Sequence, residues 1–233
     1  MIFRQLFDTA ACAYTYLLAC SDSRVAVLVD PVLEMVDRDL SVLQDLHLEL
    51  GYTLETHIHA DHITSAACLR SLTGCRIAYP ASEIPAEADV GVSEADPLEL
   101  GSLVLQPLFT PGHTDTHHSY LVEAGGTLRV LTGDALLIDG CGRTDFQCGS
   151  AESLFKSVHQ KIFSLPGDTL VYPGHDYNNR HVSTVEQERE RNPRLGGTRS
   201  IHDFVSIMAS LDLPPPTKLA VAVPANMHCG NLN

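Results

Sequence analysis

The sequence predicts a mixed α/β fold, and three observations carry that prediction. Short apolar runs of strand length alternate with segments of helical period. Glycine-bounded hairpins interrupt the alternation. Four of the strand-like runs end directly in loops that open on His or Asp. Together these require both β-meanders and βα units.

The elements follow in order. Residues 3–7, 14–20 and 25–29 read as strands, the last ending at Asp30-Pro31. Met35, Val36, Leu40, Leu43, Leu46 and Leu50 keep a helical period that Gly51 is expected to close. A short strand at 54–56 runs into His57-Ile58-His59-Ala60-Asp61-His62, followed by a helix at 63–73 stopped by Gly74 and a strand at 76–79. Residues 80–96 are rich in Pro, Glu and Ala and read as a surface connection. Strands at 103–109, 119–123 and 127–131 follow, the last two joined by Gly125-Gly126. A helix at 152–163, a strand at 169–172, a charged helix at 184–191 and a helix at 201–211 complete the chain. No repeat or long linker divides it, so a single domain over 1–233 is expected, with about 180–233 a short helical extension.

Composition narrows the function. The chain has 233 residues, 44% of them hydrophobic, enough for a sizeable core and too many for disorder. Fifteen Lys and Arg against 29 Asp and Glu give a formal charge of −14. Such a surface repels phosphate backbones and anionic lipid, so neither nucleic-acid nor membrane binding is expected. Residues 10–20 are too short and polar for a signal sequence and follow Asp8 instead of a basic flank, so a cytoplasmic protein is expected. Seven cysteines, an odd number without a C-x-x-C pair, indicate reduced thiols. Cys229, in Met227-His228-Cys229 near the C-terminus, reads as an inert tail residue more readily than as an exposed thiol.

The chemistry sits in the four strand-end loops, which hold His57, His59, Asp61 and His62, then His113, Asp134 and His175. A strand end fixes the backbone while its loop stays open to substrate. Imidazole with carboxylate suits a borderline divalent metal such as zinc or iron. In an extended segment, His57 and His59 project to the same side. Three His and an Asp within six residues are rarely needed for packing alone.

The segments Thr56-His57-Ile58-His59-Ala60-Asp61-His62, Thr110-Pro111-Gly112-His113-Thr114, Thr132-Gly133-Asp134 and Pro173-Gly174-His175-Asp176 resemble the ligand pattern of the metallo-β-lactamase superfamily. With Arg143-Thr144-Asp145-Phe146-Gln147, Asn192-Pro193-Arg194-Leu195 and Val223-Pro224-Ala225-Asn226-Met227, the chain is similar to the persulfide dioxygenase family within it. That resemblance implies an αββα sandwich of two mixed β-sheets flanked by helices. It implies one Fe(II) per chain held by His57, His113 and Asp134, also the catalytic residues, a facial triad that leaves positions for a substrate sulfur and O₂. His59, Asp61, His62, His175 and Asp176 would then surround the ligands and orient them, although a two-metal site is permitted by residue identity.

The implied reaction converts glutathione persulfide, O₂ and water to glutathione and sulfite, as a step of hydrogen sulfide oxidation. Arg143, Tyr177 and Arg194 are the candidate substrate contacts. Arg143 either binds the anionic substrate or forms a salt bridge with Asp145 or Asp176, and Tyr177 and Arg194 are equally open between substrate binding and structure. A homodimer is compatible with the sequence, which holds nothing that sets the oligomeric state. The rival reading is glyoxalase II, a two-metal hydrolase of S-acylglutathione, which carries a larger helical domain than the roughly 58 residues that follow His175. A non-catalytic metal or sulfur carrier fits poorly with the full set of seven ligands.

Overall fold

In the computed structural model, which describes residues 1–232, the strands form two six-stranded mixed sheets. The chain divides into two compact units, Met1–Leu105 with the segment from Pro215 onward, and Gln106–Pro214.

The first unit holds β1 (Ile2–Asp8), β2 (Ala13–Ala19), β3 (Val25–Val29), β4 (Glu49–Leu54), β5 (Arg76–Pro80) and β6 (Val90–Val92), paired in that order. The meander β1–β2–β3 is antiparallel, whereas β3 to β6 are parallel, as helical crossovers require. The crossovers contain α1 (Val36–Asp45) and α2 (Ala66–Thr73). Leu17, Ala19, Ala26 and Leu28 of the sheet pack with Val36 and Leu43 of α1 and Leu69 of α2. The C-terminal helix α6 (Leu219–Asn226) also belongs to this unit, with Ala222 and Ala225 packed on Ile63.

The predicted helix across 35–50 is corrected. Helix α1 ends at Asp45, His47 turns left-handed at φ 53°, and Glu49–Leu54 is a strand. Gly51 is the extra residue of a β-bulge opposite Ala26 and Val27, not a helix stop. A Cβ there would lie 2.5 Å from Val25 Cγ1, so the bulge requires glycine.

The second sheet runs β12-β11-β10-β9-β8-β7, with β7 (Leu98–Leu100), β8 (Leu103–Phe109), β9 (His118–Ala124), β10 (Thr127–Gly133), β11 (Leu170–Pro173) and β12 (Ser183–Thr184). Strand β8 runs through the unit boundary. The Gly125-Gly126 hairpin is present between β9 and β10, both glycines at positive φ. Of the expected surface connection at 80–96, residues 90–92 pair as β6.

Within the second unit, α3 (Ala151–Ser157) continues into a π-turn, Val158–Ile162, and α4 (Val185–Arg191) and α5 (Ile201–Ala209) follow. The widened turn brings Val158, Ile162 and Phe163 into one core with Leu154, Val130 and Phe204. Among the described residues, no helix is long and apolar enough to cross a membrane.

Candidate metal centre

Strands β3, β4 and β5 of the first unit are parallel, and the loops at the C-terminal ends of β3 and β4 carry its polar residues. Asp30 follows β3, and Glu55, His57 and His59 follow β4. Asp30 is buried, accepting hydrogen bonds from Thr56 N at 2.7 Å and Thr56 Oγ1 at 3.0 Å. Because the Thr56 hydroxyl proton goes to Asp30, its oxygen can only accept from His57 Nδ1, 2.8 Å away. The proton of His57 is thereby fixed on Nδ1, and Nε2 keeps its lone pair, the tautomer a metal needs.

His59, its ring centroid 4.2 Å from that of His57, has different partners. Its Nε2 lies 3.1 Å from Asp30 Oδ1 and 3.5 Å from Glu55 Oε2, all three residues fully buried. Burial pushes this imidazole down, but the Asp30 and Glu55 carboxylates outweigh it and lift its pKa to about 10. Glu55 also accepts from Thr64 Oγ1 at 2.5 Å. Asp61 Oδ2 lies 3.0 Å from His62 Nδ1, and His59, Asp61 and His62 offer donor atoms within 4.8 Å of one another.

A residue that lies in one of the segments carrying the resemblance, but to which the sequence assigned no role, holds this loop from behind. Asn226, 1% exposed at the end of α6, donates from Nδ2 to the carbonyls of His59 at 2.8 Å and His62 at 2.9 Å. Its Oδ1 accepts from Thr64 N at 2.9 Å. One amide thus satisfies three backbone groups of an irregular buried loop.

In the second unit, the loops after β8, β10 and β11 present His113, Asp134 and His175. His113 Nδ1 lies 2.7 Å from the carbonyl oxygen of Arg143, which only accepts, so His113 also carries its proton on Nδ1 and offers Nε2. Asp134 Oδ1 accepts from His175 Nδ1 at 2.7 Å, and Oδ2 lies 3.6 Å from His113 Nε2. The space around these two residues is reserved by Gly142: a Cβ there would approach Asp134 O to 2.4 Å and His113 Nδ1 to 2.8 Å. Imidazole Nε2 and carboxylate Oδ2 therefore face each other with their remaining atoms already hydrogen-bonded, a donor arrangement that fits a borderline divalent metal.

The other predicted residues have these places. Asp176 is buried and accepts from the backbone N–H groups of Asn178, Arg180 and His181, folding the loop after His175. Tyr177 is 67% exposed, its ring parallel to His175 at 5.9 Å. Arg143 forms a bidentate pair with Asp145, at 2.7 and 2.6 Å, and donates to the carbonyls of Leu213 and Pro214. Its guanidinium also lies over the Phe146 ring. Arg194 directs Nη1 to the carbonyl oxygen of Cys141 at 3.0 Å. Burial pushes the Cys141 thiol up to about 11, with Arg194 opposing, and likewise lifts Cys229, fully buried, to about 12. All seven cysteines are free.

Comparison with known proteins adds to this geometry. The sequence profile of the metallo-beta-lactamase superfamily matches residues 13–175. The human mitochondrial persulfide dioxygenase ETHE1 is 48% identical over 231 residues, covering 99% of this chain and 89% of the relative. The crystal structure of ETHE1 from Myxococcus xanthus superposes with a TM-score of 0.94 at 48% identity, covering 99% of this chain and 100% of that one. A hydroxyacylglutathione hydrolase from Methylococcus capsulatus is 34% identical, covering 80% of this chain and 73% of its own length.

Proposed function

Because the chain belongs to the metallo-β-lactamase superfamily and, within it, to the persulfide dioxygenases, we propose that it oxidises glutathione persulfide at a single iron held by His57, His113 and Asp134. The identity over 99% of the chain to a persulfide dioxygenase carries the activity, against the weaker and shorter match to the hydrolase. The iron assignment rests on the donor set: two imidazoles with Nδ1 occupied and a carboxylate with one oxygen already bonded.

The overall change is balanced: persulfide, O₂ and water give thiol and sulfurous acid, which ionises to sulfite. Iron, when bound by these residues, would supply the redox chemistry toward O₂ that zinc lacks. The protein's own residues do the rest. Thr56 and the Arg143 carbonyl keep Nε2 of the two histidines unprotonated. His175 holds Asp134 Oδ1, leaving Oδ2 as the coordinating oxygen. His59 faces Asp30 and Glu55, which supports one metal in place of two. Arg194 and Tyr177 are the proposed contacts for the glutathione moiety. Arg143 acts chiefly through its backbone carbonyl and through its ties to Asp145 and the 213–214 segment. A cytoplasmic location belongs to the same proposal and is supported by the seven free thiols.

Anaerobic metal analysis paired with an O₂ electrode tests this reading. About one iron per chain and O₂ uptake with glutathione persulfide are expected, and His57→Ala, His113→Ala and Asp134→Ala should each lose metal and activity together. Two tightly held zinc ions with thioesterase activity would instead assign the chain to the hydrolases.

A further inference from the structure

His117 is fully buried behind Asp134. The backbone N–H of Asp134 donates to His117 Nε2 at 3.1 Å, so Nε2 is unprotonated and the ring proton sits on Nδ1. Nδ1 lies 3.0 Å from Thr110 Oγ1 and donates to it. The Thr110 hydroxyl then faces Ser119 Oγ at 2.9 Å, and Ser119 donates to the carbonyl of Thr132 at 3.4 Å. Thr110, Ser119 and Thr132 are fully buried, so no water competes for these groups. One donor direction therefore runs from Asp134 through the two ends of the loop that joins β8 to β9, then through Ser119 of β9, and back to Thr132, two residues before it in the chain. On the other side, Gly142 N donates to the Asp134 carbonyl at 2.8 Å.

We propose that His117 is the positioning residue for the Asp134 carboxylate, acting as a buried hydrogen-bond acceptor whose direction is set by the Thr110–Ser119 relay. It touches neither metal nor substrate. It fixes the backbone from which the carboxylate projects, while His175 fixes the carboxylate itself. The inference rests on the assignment of Asp134 as a metal ligand.

The test has two arms. In zinc-substituted protein labelled with ¹⁵N-histidine, long-range ¹H–¹⁵N spectra should show His117 with Nδ1 protonated and Nε2 bare; a proton on Nε2 overturns the proposal. This measurement uses the unmutated chain, so it stands even if a variant fails to fold. In the second arm, iron-loaded protein is titrated with a ferrous chelator. His117→Phe should weaken metal retention about 10–100-fold, the usual cost of losing a group that orients a ligand. His117→Gln, whose Oε1 can accept from Asp134 N, should recover most of it. Wild-type retention in His117→Phe, with loss in Asp134→Ala, overturns the positioning role. Wild-type retention in Asp134→Ala overturns the ligand assignment, and the inference with it.

Discussion

The histidines of the site show how little an isolated residue type determines. His57 and His59 are two positions apart, yet Thr56 leaves Nε2 of the first available to a metal while Asp30 and Glu55 draw in the second. His175 commits Nδ1 to Asp134. His175→Ala should therefore keep most of the iron while turnover falls about 10–100-fold, as for other groups that orient ligands; complete loss of iron in that variant would make His175 a ligand. Arg194 is half-buried and bonded to the Cys141 carbonyl. If it also binds the glycyl carboxylate, Arg194→Ala should raise KM for glutathione persulfide with little change in kcat, and a des-glycyl substrate should be affected less. An unchanged KM with a lowered Tm would place this arginine in the fold alone. The candidate ligand residues were legible in the sequence because each signal is local: a strand, then a His or Asp within a few positions. Arg143 was open between two roles because its partners Leu213 and Pro214 lie about 70 residues away.

At the scale of elements, strands were easier to read than helix ends. The short apolar runs of β2 and β3 and the paired glycines between β9 and β10 are local signals. The end of α1 was misread because Leu46 and Leu50 continue its period into a strand whose bulge falls on Gly51. Helix α6 gave no amphipathic signal, since Leu219, Ala220, Val221, Ala222 and Val223 are apolar on every side and Pro224 follows. Its importance lies in Asn226, whose partners are more than 160 positions earlier in the chain. Asn226→Ala leaves the His59 and His62 carbonyls and the Thr64 N–H buried without that amide, each worth about 1–3 kcal/mol. We expect lower Tm and weaker iron retention together, read by calorimetry and chelator titration. A Tm loss with unchanged iron retention would confine α6 to a packing role.

For the whole molecule, pH acts on stability through buried carboxylates as well as through the site. Asp39, fully buried in α1, has its pKa raised to about 6 from 3.8 by burial, with Arg38 opposing. A raised folded-state pKa means that its contribution is present below about pH 4 and is lost as pH rises through 6. Asp39→Asn should therefore gain stability relative to the parent at pH 8, by at most about 3 kcal/mol, and lose that advantage at pH 4; denaturant unfolding at the two pH values measures it, and equal differences at both would refute it. The division of the chain has another consequence. The first unit is built from Met1–Leu105 and from the segment that begins at Pro215, with the whole of Gln106–Pro214 translated between them. During vectorial synthesis, the strand that carries His57 leaves the ribosome long before the helix that carries Asn226. The nascent His57–His62 loop lacks the Asn226 amide that bonds the His59 and His62 carbonyls until α6 is made, so it is expected to take its final form only after nearly all of the chain has been translated. Metal loading is thus expected late in the life of the polypeptide, and a product released by a ribosome that stalls within the second unit should hold metal more weakly than the finished chain.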